Sequence, residues 1–581
     1  MEGITGQLFR QFSVTLSTAI TLSAFNALTL SPALCAMLLK PRKGERRGLL
    51  GRFNAVVERN LNRYGERIVT FVQHTLRTAL IVAVMAVAIL LCWRTLPTGF
   101  LPVEDEGYMM VLVTTPDASS LDTTLRAMQY AEQIITSHPA VEYASLAAGF
   151  DMMAGVGSTS SGVIFVVLKD FKQRNISASA LAAELNAELY SLPEAECYAI
   201  IPPSIPGLGI SSDLSLQVQD LQGQGTEWLY SQAQMLMDSL RKEPSIATVS
   251  TTFHASTPQR MLRIDREQAM SEGVELADIY STLGTMLGGT YSGNFNRFGR
   301  QYRIYAQASP DAREDSFAIN RYYVPNAHGQ SVPLAAFVSV EDTVGVEYIT
   351  QFDLYESIML SITPAEGISS GEAMATVERT ADRVLPPTAA TAWSGLSYQQ
   401  AKARSGAGVV YLVALIFVFL ALSSLYESWA LPVAILLSVP AAIAGALVAM
   451  LVAHAIEPTY VNNIYVQISL IMLIGLAAKN AILVVEYADR RRAEGNLTAA
   501  EAATEAARER ARPIIMTALA FILGIMPLIF ATGNFSTARN IMGVALAGGM
   551  IVATTVGLLL YPAAYFLVES LRSKFSKDRT L

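Results

Sequence analysis

Charge is scarce in this chain. Only 16% of its 581 residues are charged, whereas soluble domains carry about a quarter. With 52% of residues hydrophobic, a water-facing surface along the whole length is excluded. Cysteine is nearly absent: Cys35 and Cys92 lie in apolar segments and Cys197 stands alone, which excludes a disulfide framework. Histidine is scarce too, and the five histidines, among them His74, His138 and His254, show no metal-ligand spacing. Met1 is followed by Glu2 and a polar stretch, with no basic leader of the signal-peptide kind. The net charge of −7 decides little, because the charges are segregated along the chain.

What fills the space is long apolar runs. Seven read as helices that cross a bilayer: Phe12–Leu39, Thr78–Trp93 (short, but extended by its flanks), Val409–Leu425, Leu431–Ala453, Tyr465–Tyr487, Pro513–Thr532 and Ile541–Val568. Lys40–Arg67 carries nine Lys/Arg against three Glu, the imbalance of a cytoplasmic loop. Within it Leu49, Leu50, Phe53, Val56, Val57, Leu61 and Tyr64 recur at helical spacing, so a basic amphipathic helix is expected on the inner membrane face, or an ordinary docked helix. If the spans alternate, Arg490–Arg492, Arg508, Arg510, Arg512, Arg572, Lys574 and Lys577 share that side. The chain then begins outside with an odd number of spans. The expectation is the C-terminal part of a larger unit, truncated or completed by another chain.

Lys479 sits inside the fifth run, with Asn480 beside it. An ammonium in hydrocarbon is expensive, so such groups usually face a bundle interior and pair with an acid. It lies about ten residues, or roughly 15 Å of helix, from the basic end at Asp489–Arg492, too deep for easy snorkelling. The choice is between a structural ion pair and an ion or proton relay, and the second is the default for an intramembrane cation. Glu486 and Asp489 read as interfacial charges.

Between the second and third runs, Thr95–Arg404 alternates strands and helices. Strand Tyr108–Thr114, helix Ser120–Ser137 and strand Val141–Ala148 are followed by Val163–Asp170, Ser177–Ser191 and Glu196–Ile201 in the same order. This β-α-β, β-α-β succession is the split unit of ferredoxin-like folds. A second copy starts with Leu214–Gln219, Thr226–Arg241 and Ile246–Thr252 and resumes with Gln351–Thr363, Gly371–Val384 and Thr391–Ser394. The insertion between its halves, Pro258–Tyr348, carries LGGTYSGNFNRFGRQYRIY at Leu287–Tyr305, which suits a hairpin with Gly turns. No strand–Gly–helix pattern surrounds it, so it is not a phosphate cradle. Glu104, Asp105 and Glu106 read as a solvated acidic turn rather than a catalytic dyad, and enzyme activity is not expected.

Several stretches are specific in combination: LFRQFSVTL (Leu8–Leu16), LSPALCAMLLKP (Leu30–Pro41), FLPVEDEG (Phe100–Gly107), LGGTYSGNFNRFGR, LYESWALP (Leu425–Pro432), GLAAKNAILVVEYA (Gly475–Ala488) and RPIIMTALAFILGIMPL (Arg512–Leu528). Through them the chain resembles, from end to end, the C-terminal half of resistance–nodulation–division efflux transporters of the hydrophobe/amphiphile, acriflavine-resistance type.

The resemblance implies a polytopic α-helical membrane protein with a large α+β periplasmic insert. In that mapping residues 1–95 hold helices like the family's sixth and seventh, residues 96–206 a first porter subdomain, and residues 207–257 with 346–400 a second, split one. Residues 258–345 form a docking subdomain, 405–571 helices like the eighth to twelfth, and 572–581 a cytoplasmic tail. It further implies proton-coupled export of hydrophobic or amphiphilic compounds across a bacterial inner membrane, powered by the proton motive force without a cofactor. The expected partners are a homotrimer, a periplasmic adaptor, an outer-membrane channel, the lipid bilayer and an N-terminal half bearing paired aspartates, with no nucleic acid. Lys479, Thr517 and Arg510 match the family's relay lysine, threonine and arginine. The ordinary reading of Thr517 is a hydroxyl bonded to its own helix.

For substrate, the segment Gly149–Gly162 resembles a loop between access and deep pockets. Its glycines permit motion, and Phe150, Met152 and Met153 supply soft apolar surface. Phe165 falls on a pocket phenylalanine, and Met110, Tyr198 and Ile200 where an access pocket is lined. Taken singly, any of these is ordinary core. Ser145, Ser250 and Gly207 replace an aromatic, an arginine and an acid of multidrug relatives, implying a less aromatic and less charged pocket. Two other readings stand beside this one. A Cu(I) or Ag(I) exporter would use thioether ligands, of which Met110 and Met153 (or Met152) supply two, without a third methionine at the expected place. A truncated or split half would not transport alone.

Overall fold

The computed structural model of the protein describes residues 3–38, 49–365, 367–404, 407–495 and 497–577. Two compact units are present: Met1–Thr115, Leu121–Thr252 and Thr350–Leu581 form the first, Pro116–Ser120 and Phe253–Ile349 the second.

The first unit opens with helices α1 (Gly3–Leu28), α2 (Leu30–Leu38), α3 (Leu49–Val72) and α4 (Thr75–Thr95). Then come β1 (Tyr108–Thr114), α5 (Leu121–Ser137), β2 (Val141–Ala148), β3 (Ser161–Leu168), α6 (Ala178–Leu189) and β4 (Glu196–Ile200), which make an antiparallel sheet of order β2-β3-β1-β4. Strand side chains alternate between faces. Met109, Val111, Val113, Ile164 and Val166 point to one face and are sealed in a core with Ile135 of α5 and Leu181 and Leu185 of α6. That leaves Tyr108, Met110 and Leu112 on the other face.

A second sheet starts with β5 (Leu214–Asp220), α7 (Thr226–Leu240) and β6 (Ile246–Ser250). The chain then builds the second unit from β7 (Thr257–Ile264), α8 (Arg266–Ser271), α9 (Leu276–Leu283), β8 (Thr290–Arg297), β9 (Arg300–Ala306), β10 (Tyr323–Pro325), β11 (Ser331–Pro333) and β12 (Val338–Gly345). The Gly-rich stretch is a hairpin: β8 pairs with β9 around Phe298-Gly299, whose φ angles of 53° and 72° are those of a tight primed turn.

The chain returns to the second sheet with β13 (Thr350–Phe352), β14 (Tyr355–Pro364), α10 (Ser370–Val384) and β15 (Ala389–Trp393). β14 lies between β5 and the pair β6 and β13, with β15 outside β5. The single strand expected over Gln351–Thr363 is instead two, folded back at Asp353-Leu354 with φ 51° and 72°. No glycine marks that turn, so the sequence does not announce it.

The chain ends in α11 (Gly395–Arg404), α12 (Ala407–Tyr426), α13 (Ala430–Leu436), α14 (Val439–Ile456), α15 (Ile464–Gly495), α16 (Ala499–Ile529), α17 (Ser536–Thr555) and α18 (Gly557–Lys577). Among the described residues six stretches are long and apolar enough to cross a membrane: Gly3–Leu38, Thr75–Thr95, Ala430–Ile456, Ile464–Gly495, Ala499–Ile529 and Ser536–Thr555. Val410–Tyr426 is a shorter apolar helix. The span expected over Ile541–Val568 is broken: α17 ends at Thr555 and α18 starts at Gly557. At the break the Tyr561 hydroxyl donates to the Ala553 carbonyl at 2.6 Å, pairing a group the interrupted helix leaves open.

Small residues set the helix packing, as they must where apolar solvent gives no drive to associate. A Cβ on Gly445 of α14 would stand 2.6 Å from the Gly548 carbonyl of α17, and one on Gly548 would stand 2.9 Å from the Gly445 carbonyl. The C-terminal part of α3 is docked on other helices of the chain. Ile68 and Val72 are buried, the Tyr64 hydroxyl donates to the Leu558 carbonyl at 2.6 Å, and the Arg508 guanidinium donates to the Gly65 carbonyl at 3.0 Å. The expected contacts of Leu49, Leu50, Phe53, Val56 and Val57 fall on side chains outside those described.

Candidate functional site

Two regions gather the residues that the sequence singles out. The first is the α15–α16 pair. On α15 the buried positions Leu470, Leu473, Ala477, Ala481, Val484 and Ala488 repeat at three and four residues and face the bundle. Gly475, Lys479, Glu486 and Arg490 are exposed on the other stripe. Lys479 therefore projects from an open face of the chain, and among the described residues it forms no ion pair. Asn480, next to it, is buried, with its Nδ2 unpartnered.

Thr517 on α16 is exposed, and its hydroxyl donates to the Ile514 carbonyl at 3.0 Å, the bond to its own helix that its residue type favours. Ala518 and Ala477 share one core cluster, Ile514 and Ala481 another, so apolar residues of the two helices are buried on either side of these polar positions. Arg510 reaches α15: its guanidinium lies over the Tyr487 ring, 4.8 Å from the centroid, with Nε buried and unpartnered. Tyr487 is eight residues beyond Lys479, about 12 Å along the helix. The structure thus ties Arg510, but not Thr517, directly to a side chain of the lysine's helix.

The second region is the free face of the first sheet. The register sets Ser145, Phe165, Met110 and Ile200 side by side across β2, β3, β1 and β4, and the next row holds Ala147, Val163, Leu112 and Tyr198. Residues directly opposite in antiparallel strands share a face. So four residues scattered over ninety positions of sequence become one patch, turned away from α5 and α6. Phe165 and Tyr198 are 38% and 43% exposed, whereas Met110, in the central strand, is only 5% exposed. Tyr143, not singled out in the sequence, adds an exposed ring on the same face opposite Val167.

Phe150, Met152 and Met153 lie in the turn joining β2 to β3, and Phe150 is exposed. The glycines there do not leave the turn loose. Asp151, itself buried, accepts on Oδ1 from the Met153 and Ala154 amides at 2.8 and 3.0 Å, and its own amide donates to the Val156 carbonyl at 2.8 Å. This local bonding is the usual habit of an Asp in a turn, and the Asp-x-x-Ala spacing was the available signal.

The Glu104–Glu106 stretch is not the solvated turn its composition suggests. Glu104 is 4% exposed and accepts from the Thr537 and Ala538 amides at 3.2 and 2.7 Å. Burial pushes its carboxyl above the ordinary range, and those hydrogen bonds offset the rise only in part. Asp105 takes two bonds from Arg174, at 2.8 and 2.7 Å, and one from the Ala178 amide. Burial acts to raise its carboxyl too, but the hydrogen bonds from Arg174, Ala178 and Gly107 outweigh it, and the group sits below the ordinary value.

Comparison with known proteins gives a consistent result. The sequence profile of the AcrB/AcrD/AcrF family matches residues 1–569. The multidrug/solvent efflux pump membrane transporter MepB of Pseudomonas putida is 36% identical over 578 residues, covering 98% of this chain and 54% of MepB. The multidrug resistance protein MdtF of Escherichia coli K12 is 33% identical over 587 residues, 99% of this chain and 56% of MdtF. The multidrug export protein AcrF of the same strain is 33% identical over 577 residues, 98% of this chain and 55% of AcrF. The chain therefore spans about half the length of these relatives.

Proposed function

The chain belongs to the AcrB/AcrD/AcrF family, and on that premise we propose that it works in the proton-driven export of hydrophobic and amphiphilic compounds across a bacterial inner membrane. The relatives' names, multidrug and solvent efflux pumps, support the substrate class. We assign the α-helical bundle to coupling, the two sheets to porter subdomains and the second unit to a docking subdomain. The working form is a homotrimer joined to a periplasmic adaptor and an outer-membrane channel, and the proton motive force drives it without a cofactor.

The observation that carries this reading is Lys479, an ammonium within a membrane-length helix on a stripe that no other described helix covers. A cation there calls for an acid from elsewhere in the assembly. Protonating that acid removes the attraction, which is strong in an apolar medium, and frees α15 to shift. Arg510, stacked on Tyr487, reports the shift to α16, and Thr517 exchanges its bond to Ile514 for one into the relay. Substrate meets the free face of the first sheet, Met110, Phe165, Tyr198 and Ile200, and the turn bearing Phe150, Met152 and Met153. These side chains offer aromatic and thioether surface with no charge, as an amphiphile's apolar part requires.

The test is a drug-susceptibility panel in a pump-deficient strain expressing the transporter. Resistance that disappears with Lys479→Met at unchanged membrane abundance supports the reading; resistance indifferent to that substitution refutes the coupling assignment.

A further inference from the structure

The linker between α4 and β1 supplies an acceptor to each of four helix N-termini. The Thr98 carbonyl accepts from the Gly371 amide of α10 at 3.1 Å, and the Phe100 carbonyl from the Ile464 amide of α15 at 3.2 Å. The Glu104 carboxylate holds Thr537 and Ala538 of α17, and the Asp105 carboxylate holds Ala178 of α6 at 2.8 Å. The linker is also stitched to the residue two before α15: Asn462 donates to the Pro97 carbonyl at 2.8 Å and accepts from the Gly99 amide at 3.2 Å. Two of these helices, α15 and α17, are long and apolar enough to cross a membrane. The other two belong to different sheets, α6 to the first and α10 to the second.

The first amides of a helix have no partner within it, and leaving a buried one unpaired is costly. Three of the four helices have a cap of their own: Ser177 for α6, Ser369 for α10 and Asn463 for α15. α17 has none. Its N-cap position is Phe535, in the left-handed region at φ 54°, with no side-chain acceptor. Glu104, 434 residues away in sequence from Ala538, takes that place, and its negative charge suits the positive end of the helix. Neither α15 nor α17 can move along its axis without pulling on the linker, and the linker cannot move without pulling on α6 and α10.

We propose that residues 97–105 are the joint that hands displacement of α15 and α17 to both sheets, with Glu104 as its positioning residue. This rests on the transport reading, since α15 carries Lys479. Glu104 touches neither substrate nor the relay; it acts by fixing α17 to the strand that holds Met110.

The experiment uses the transporter in its natural assembly, reconstituted in proteoliposomes, with extrusion of an amphiphilic dye under an imposed pH gradient and dye binding measured by fluorescence polarisation in detergent. Glu104→Ala is expected to lower maximal extrusion tenfold or more with half-saturation and dye affinity within twofold of wild type. Glu104→Gln keeps one acceptor oxygen and the side-chain shape, and should fall between at an unchanged melting temperature. Extrusion at wild-type rate in both variants overturns the joint. So does parallel loss of extrusion, dye affinity and melting temperature in both, which would make Glu104 a stabilising cap only. Wild type and Lys479→Met run alongside: a wild type without gradient-driven extrusion refutes the transport reading itself, whereas a competent wild type with active Glu104 variants refutes only the joint.

Discussion

The guanidinium of Arg174 grips the carboxylate of Asp105 with two hydrogen bonds of 2.8 and 2.7 Å, and Arg174 is almost wholly buried in doing so. Its Nε donates to the Lys169 carbonyl and its Nη1 also to the Ile176 carbonyl. One ion pair therefore fixes the start of β1, the end of β3 and the start of α6 together. Removing one partner of such a pair strands the other charge. Arg174→Ala should destabilise the protein by about 3 kcal/mol or more, read as a lowered denaturation midpoint, and a change under about 1 kcal/mol would show the pair to be dispensable.

The same pair sets a pH window. The folded Asp105 carboxyl titrates below its ordinary value of 3.8, so its contribution to stability is complete above that value and is lost as the pH falls through the lower folded one. The melting-temperature gap between wild type and Asp105→Asn should stay constant from about pH 7 to pH 5 and narrow only at about pH 4 and below. A gap that closes near neutrality would contradict it.

At Asp151 the carboxylate pins a turn rather than meeting solvent. Asp151→Asn retains an acceptor oxygen and should leave stability nearly unchanged, while Asp151→Ala should lose about 1 kcal/mol. Hydrogen exchange at the Met153 and Ala154 amides distinguishes the two, with faster exchange expected only in the alanine variant.

On the free face of the first sheet, Phe165→Ala should weaken dye binding by roughly 1 kcal/mol, about fivefold. Met109→Ala, on the core face one residue from Met110, should instead cost about 2–5 kcal/mol of stability. Equal effects of both on affinity alone would mean the face assignment is wrong.

Between α14 and α17 the backbones approach through glycine. Gly548→Val should therefore disrupt packing, because its added atoms meet the Gly445 carbonyl. The expected outcome is loss of stability of about 1–3 kcal/mol, seen as a lower melting temperature with Gly524→Val, whose Cβ meets nothing within 4 Å, as the contrast.

How far the residues alone reach is uneven. Hydrophobic runs and strand periodicity are local signals, so the membrane-length helices and both β-α-β successions were legible, and the depth of Lys479 within its run marked it without any neighbour. The turn at Asp353-Leu354 was not, because it depends on left-handed backbone angles that its residue types do not require, and neither was the break before Gly557, which falls inside a continuous apolar run. Thr517 illustrates the middle ground: its residue type permitted either a relay group or a bond to its own helix, and the fold makes the bond to Ile514.

Sequence by itself determined which segments avoid water and where a lone cation sits among them, since both follow from the transfer energy of each residue. Only the tertiary structure decided that Ser145, Phe165, Met110 and Ile200 form one row, and that Glu104 and Asp105 are capping groups rather than surface charge. Register between strands and the meeting of a carboxylate with an amide hundreds of positions away depend on long-range packing, which no window along the chain contains.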